Sequence, residues 1–241
     1  MGSWIVGLVG AFGIGFLLFE GGLVIQALLQ GSHQARLAEA YTQVGNGAGT
    51  MLVIGDSTGY GTGAMRPEES IAGRVGSVFP EHEIKNLSVN GLQTSGLLAG
   101  IRGLPRESVY DLALIQIGGN DILFFVPYQK TRNSLELILD EAKVLARHVV
   151  VMTSGNVGAA PAFGPLLSYL YSARTRAVRE IFLEVTSQKQ VSYVDLYEPR
   201  ERDPFVQEPA RYHSRDGLHP SSEGYALWFE KLKPTLTQIV K

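Results

Sequence analysis

A chain of 241 residues, 18% of them charged and 45% apolar, with a formal net charge of −2, has the length of one ordinary domain or two small ones. Its apolar content suffices for a sizeable core, which excludes a disordered or low-complexity chain, and the lack of a basic surplus argues against nucleic-acid binding. With no cysteine there is no disulfide framework, no thiolate zinc site and no cysteine nucleophile, while the compartment stays open.

The first element is apolar. Between Trp4 and Leu29 the only ionisable residue is Glu20, and Ile, Leu, Val and Phe fill 15 of the 26 positions. On an insertion scale those side chains contribute about −4.5 to −9 kcal/mol, against about +2.5 to +3.5 kcal/mol for one carboxylate near the centre. The arithmetic predicts a membrane-spanning helix within residues 1–30, since about 20 apolar residues cross a bilayer. A cleaved signal peptide is a second reading, but Met1-Gly2-Ser3 lacks a basic n-region and the small residues Ala38 and Ala40 lie well beyond the apolar run. A helix packed on the domain is the third. Arg36, the nearby basic side chain, favours a membrane-anchored protein with its domain on the cytoplasmic side.

Residues 31–49 read as a short helix and linker ending in Gly45-Asn46-Gly47-Ala48-Gly49, and residues 50–241 as one α/β domain. Short β-rich apolar runs lie at Met51–Ile54, Glu83–Val89, Leu112–Ile117, His148–Thr153 and Val191–Leu196. Helical stretches fall near Pro67–Val78, Gln93–Arg102, Asn133–Ala146, Leu167–Ser187 and Ser222–Ile239. Such alternation predicts a parallel sheet covered on both faces.

Three strand ends are polar and glycine-rich. The first run ends in Gly55-Asp56-Ser57-Thr58-Gly59-Tyr60-Gly61. Open α/β sheets place reactive groups at such turns, and a serine there becomes a nucleophile only with a base and oxyanion donors nearby. A phosphate loop would need a Lys-Ser/Thr pair that this turn lacks. The second run ends in Val89-Asn90-Gly91, and the third in Gly118-Gly119-Asn120-Asp121, where Asn120 offers an amide donor or a helix cap. Asp216-Gly217-Leu218-His219-Pro220 precedes the last helix, and an aspartate three residues before a histidine can orient it as a base. His33, His82, His148 and His213 show no comparable partner pattern.

From Met51 to Lys233 the sequence resembles the SGNH hydrolases, the GDSL-type esterases and lipases, through Gly55-Asp56-Ser57, Gly91, Gly118-Gly119-Asn120-Asp121 and Asp216-Gly217-Leu218-His219-Pro220 in that order. The resemblance implies a flavodoxin-like three-layer α/β/α sandwich with a five-stranded parallel sheet in the order 2-1-3-4-5. It implies Ser57 as nucleophile, His219 as base and Asp216 as the group orienting it. The oxyanion hole would be the N–H groups of Ser57 and Gly91 with the side-chain amide of Asn120, and Asp121 would be structural. Thr58 departs from the usual leucine, and Gly91 is assigned by position, with Gly96 as its substitute. The implied activity is hydrolysis of a small-molecule, lipid or carbohydrate ester through an acyl-enzyme, with no cofactor and no metal.

Phe124, Phe125 and Phe163 are the candidate substrate contacts, set in an apolar stretch after Asn120 and in the Gly/Ala/Pro-rich loop from Gly155 to Leu170. Two other classes share these residues: an acyltransferase using the same acyl-enzyme, and a silent membrane-tethered binding domain.

Overall fold

The computed structural model describes residues 2–106 and 110–240, with side chains from Gly15 onward except Leu17. Helix α1 (Gly2–Leu37) comes first. The domain then follows as β1 (Thr50–Gly55), α2 (Ser57–Tyr60), α3 (Ile71–Val78), β2 (Glu83–Asn86), α4 (Thr94–Arg102), β3 (Tyr110–Gln116), α5 (Gly119–Leu123), α6 (Tyr128–Leu145) and β4 (Ala146–Met152). It closes with α7 (Pro165–Gln188), β5 (Ser192–Val194), α8 (Pro204–Gln207), α9 (Pro209–Tyr212) and α10 (Ser222–Ile239).

All five strands are parallel, in the order β2-β1-β3-β4-β5, as expected. Their central runs are apolar throughout because both faces are covered. Alternation along each strand divides the core into two layers. Leu52, Ile54, Ala113, Ile115 and Val151 face one side with Leu97 of α4, Leu135 and Ile138 of α6 and Val178 of α7. Met51, Val53, Leu112, Leu114 and Val150 face the other with Ile71 and Val75 of α3 and Trp228 and Leu232 of α10. Each such side chain removed from water contributes about 1.5–3 kcal/mol. Helix α6 buries Leu135, Ile138, Leu139, Ala142 and Leu145 on one stripe, the spacing of a helix packed on a sheet. It begins at Tyr128, earlier than its apolar periodicity indicates.

The second run leaves the regular strand at Asn86, whose side chain donates to the Gly59 carbonyl and accepts from the Ser88 N–H. The chain nevertheless stays beside β1, with Leu87 N–H on the Val53 carbonyl and Val89 N–H on the Gly55 carbonyl. That pairing delivers Gly91 to the sheet edge where Ser57 stands.

The expected membrane-spanning segment is corrected: among the described residues no helix is long and apolar enough to cross a membrane. With it falls the expectation of a membrane-anchored location. The side chains of residues 4–14 and of Leu17, which entered the hydropathy arithmetic, lie outside the described residues. The physical reason for the correction begins at Glu20. Hydropathy treats it as a charge that insertion outweighs, but it is buried against the domain, where its carboxylate oxygens accept the N–H groups of Leu166 and Leu167 at 2.9 and 3.0 Å. Ala27 belongs to the first core layer and Val24 packs against it. Part of the apolar surface of α1 is a docking face, and α1 runs on to Leu37 through the first residues of the segment read as a linker. Farther on, Gln43 bridges to Ile84, backbone to backbone, at the edge of the sheet.

Candidate active site

At the end of β1 the chain turns so sharply that a Cβ on Gly55 would lie 1.8 Å from the Gln116 carbonyl oxygen. Only glycine fits there. Asp56 follows, its N–H on that same carbonyl and its side chain capping α2 through the Thr58 N–H (2.9 Å) and hydroxyl (2.8 Å). Burial pushes Asp56 up to about 6, against the pull of the Thr58 bonds. Ser57 opens α2, so its own N–H has no partner within the helix.

The Ser57 hydroxyl lies 2.9 Å from His219 Nε2, and His219 Nδ1 lies 2.6 Å from Asp216 Oδ2. Burial of Asp216 favours its neutral form. The bond and charge of His219, with the N–H groups of Leu218 and His219, outweigh that and hold the carboxyl below its ordinary value. An ionised Asp216 can only accept, so Nδ1 carries the imidazole proton and Nε2 is left to accept from Ser57. The other carboxylate oxygen, Oδ1, accepts from Ser214 Oγ, Leu218 N–H and His219 N–H at 2.8–2.9 Å. The loop is closed on itself by Ser214 N–H to the His219 carbonyl and tied to the next loop by Ala162 N–H to the Gly217 carbonyl.

Gly91 sits on a left-handed turn, φ +77°. Asn120 reaches the same turn, donating from Nδ2 to the Leu92 carbonyl at 3.0 Å. One of its two amide hydrogens remains for a ligand. The helix cap at this strand end is Gly118, without a side-chain bond. The adjacent Asp121 is fully buried and accepts from Thr94 N–H (2.9 Å), Thr94 Oγ1 (2.6 Å) and Thr131 Oγ1 (3.2 Å), tying α4 and α6 to the site.

An open cavity of about 390 Å³ lies over these strand ends, and Ser57, Gly91, Asn120 and His219 all line it. Asp216 stands behind His219, outside the lining. Of the candidate substrate contacts, Phe124 lines the cavity. Phe125 packs at a tilt against Tyr171 and lies under the Arg174 guanidinium, and Phe163 has its ring centre 4.4 Å from that of Tyr171 and faces a neighbouring cleft. Gly96 lies on α4, outside the lining. Among the described residues no group of three or more His, Asp or Glu could hold a metal ion.

The sequence alone does not single out Asp203, Phe205, His213 and Trp228, which line the cavity beside His219, or the α1 residues across from them. Burial raises Asp203 to about 6 and lowers His213 to about 4. Arg174 carried no motif signal either. Buried beneath α5, it donates to the carbonyls of Asp121, Ile122 and Val126 and so fixes the turn that carries Asn120.

Residues 53–227 match the profile of the GDSL-like lipase/acylhydrolase family. The chain belongs to that family. Among solved structures it is similar to TesA, with 22% identity over 79% of this chain and 99% of the other and a TM-score of 0.60. The psychrotrophic esterase EstA from Pseudoalteromonas sp., solved with monoethylphosphonate as inhibitor, shares 18% identity over 79% of this chain and 97% of its own, TM-score 0.57. The lipase/acylhydrolase from Enterococcus faecalis shares 18% identity over 80% and 97% of the two chains, TM-score 0.59. At these identities the likeness is one of fold. No protein of curated function matches the sequence significantly.

Proposed function

We propose that this GDSL-family domain is a carboxylic-ester hydrolase in which Ser57 is the nucleophile, His219 the general base and Asp216 the residue that orients His219. The observation carrying the reading is the unbroken chain of contacts that starts at Ser57 in the lining of an open cavity, 2.9 Å from Ser57 to His219 and 2.6 Å from His219 to Asp216.

Ser57 Oγ attacks the ester carbonyl carbon while its proton passes to His219 Nε2. Asp216, kept ionised, stabilises the imidazolium without taking its proton. The carbonyl oxygen becomes an oxyanion that accepts from the N–H groups of Ser57 and Gly91 and from Asn120 Nδ2, donors fixed before charge develops. Collapse breaks the bond to the leaving oxygen, which departs as the alcohol with the proton from His219, leaving an acyl-Ser57. Water then gives a proton to His219 and attacks the acyl carbon, and the acid leaves as Ser57 regains its hydrogen.

The test is hydrolysis of p-nitrophenyl esters from acetate to octanoate by the full chain and by Ser57→Ala. The alanine variant should lose at least about 10³-fold in kcat with its melting curve intact, because such a set acts as a unit. A p-nitrophenyl alkylphosphonate should phosphonylate wild-type Ser57 with loss of p-nitrophenolate and leave the variant untouched. Wild-type turnover by Ser57→Ala would overturn the assignment.

A further inference from the structure

The matched family region begins at Val53, so α1 lies outside it, yet α1 forms one side of the cavity. Ala27, Leu28, Gly31, Ser32 and Ala35 line it, at positions that share one face of a helix. The helix backbone passes so near the His–Asp pair that a Cβ on Gly31 would lie 3.2 Å from Asp216 Oδ2 and 3.6 Å from His219 Cε1.

Three groups hold α1 in this place. Glu20 takes the Leu166 and Leu167 N–H groups, acting as the cap for α7, whose own N-cap, Gly164, has no side chain to offer. Gln34 Oε1 is 2.9 Å from Ser214 Oγ, the hydroxyl that also contacts Asp216. Asn90, beside Gly91, donates to the Ala35 carbonyl. Each tie ends on a loop of the site or on α7, so α1 is registered against the reacting groups.

We propose that α1 is the wall that receives the apolar acyl chain of the ester, and that Leu28 is a specificity-determining residue. The inference rests on the esterase reading of Ser57. Of the five α1 residues only Ser32 brings a polar side chain, and Leu123, Phe124, Val157 and Ala160 line the same cavity. Among these wall residues only Ser32 offers a side-chain hydrogen bond, too little to match the hydroxyls of a sugar, and none carries a charge to match a phosphate, whereas each methylene the wall covers should strengthen binding roughly fourfold. The cavity, about 390 Å³, falls within the ordinary range of small-molecule sites, roughly 300–1,000 Å³.

The test uses the full chain carrying Ser57→Ala, with octanoic and butyric acids as probes in titration calorimetry. Octanoate should bind at least tenfold tighter than butyrate. Leu28→Trp, which fills the wall, should cut that preference at least tenfold, and Leu28→Ala, which removes contacts, at least threefold. Leu28 is 47% exposed, so neither change disturbs the core, and the alanine variant serves should the indole disrupt the helix. Equal affinity for the two acids, or a preference unmoved by both substitutions, would overturn the proposal. The ester panel on the Ser57 protein is read separately. If no ester turns over while Leu28 still governs the octanoate preference, the esterase reading fails and the chain-binding wall stands.

Discussion

The cavity has two sides built on different principles. One is made of strand ends: Ser57 at β1, Gly91 beyond β2, Asn120 at β3, with His219 on the loop before α10. Here the turns that carry Ser57 and Asn120 leave the paired neighbours β1 and β3, so the register of those two strands sets the turns side by side. The other side is α1, which joins no strand and is clipped on through Glu20, Gln34 and the Ala35 carbonyl. A sheet edge can hold reacting atoms to fractions of an ångström, whereas a clipped helix can shape a pocket and change between relatives without disturbing the chemistry. The division predicts that substitutions on the first side lower kcat, and that those on the second alter binding and local stability.

The largest effect should come from Asp216→Asn. It removes the charge that fixes the imidazole tautomer, and kcat should fall about 10³–10⁴-fold with KM changing little, read with p-nitrophenyl butyrate. Asn120→Ala removes one of the proposed oxyanion donors and should lower kcat about 10²–10³-fold. A rise in KM alone would place Asn120 in ground-state binding and blur the contrast between the two sides.

Glu20→Ala strikes the clipped side. It leaves two N–H groups at the start of α7 without their acceptor, a loss of about 1–3 kcal/mol. Hydrogen exchange at Leu166 and Leu167 should therefore quicken roughly five- to 150-fold, while kcat on the acetate ester stays within about twofold. Exchange unchanged from wild type would mean that α1 contributes nothing to the order of α7.

The smallest effect concerns the charge buried in the wall beside His219. Asp203 is raised to about 6 from an ordinary value of 3.8, so above pH 6 the folded state carries an ionised carboxylate that the unfolded chain hydrates more favourably. Asp203→Asn keeps an acceptor for the Phe205 N–H and removes the charge. It should stabilise the protein by on the order of 2 kcal/mol at pH 8. The gain should fade as pH falls from 6 to 4, where Asp203 in the folded protein already holds its proton. Thermal melts across that range check both the sign and the window.

Much of the sheet-edge side was legible in the sequence because its signals are local. Apolar runs ending in Gly-Asp-Ser or Gly-Gly-Asn-Asp announce a strand and a turn within a few residues, and Asp216 and His219 are near neighbours in sequence. The fates of Asn120 and Asp121 were harder to separate from composition, since both are short polar residues at one helix start. Only the packing sends Asp121 inward to Thr94 and Thr131 and leaves Asn120 at the cavity. Phe124, Phe125 and Phe163 looked equivalent as bulky residues in loops. Arg174 draws Phe125 beneath its guanidinium, and Tyr171 takes Phe163 into the core.

By itself the sequence determined the alternation of strands and helices and the turns at the strand ends, because local backbone preference and burial on two faces suffice to write them. What the tertiary structure decided is where α1 goes. Hydropathy sums side chains without asking what they meet, and it set Glu20 against its apolar neighbours as an unmet charge. Two N–H groups at the start of α7, 146 and 147 residues away, meet that charge and turn the helix from a candidate span into a wall of the cavity.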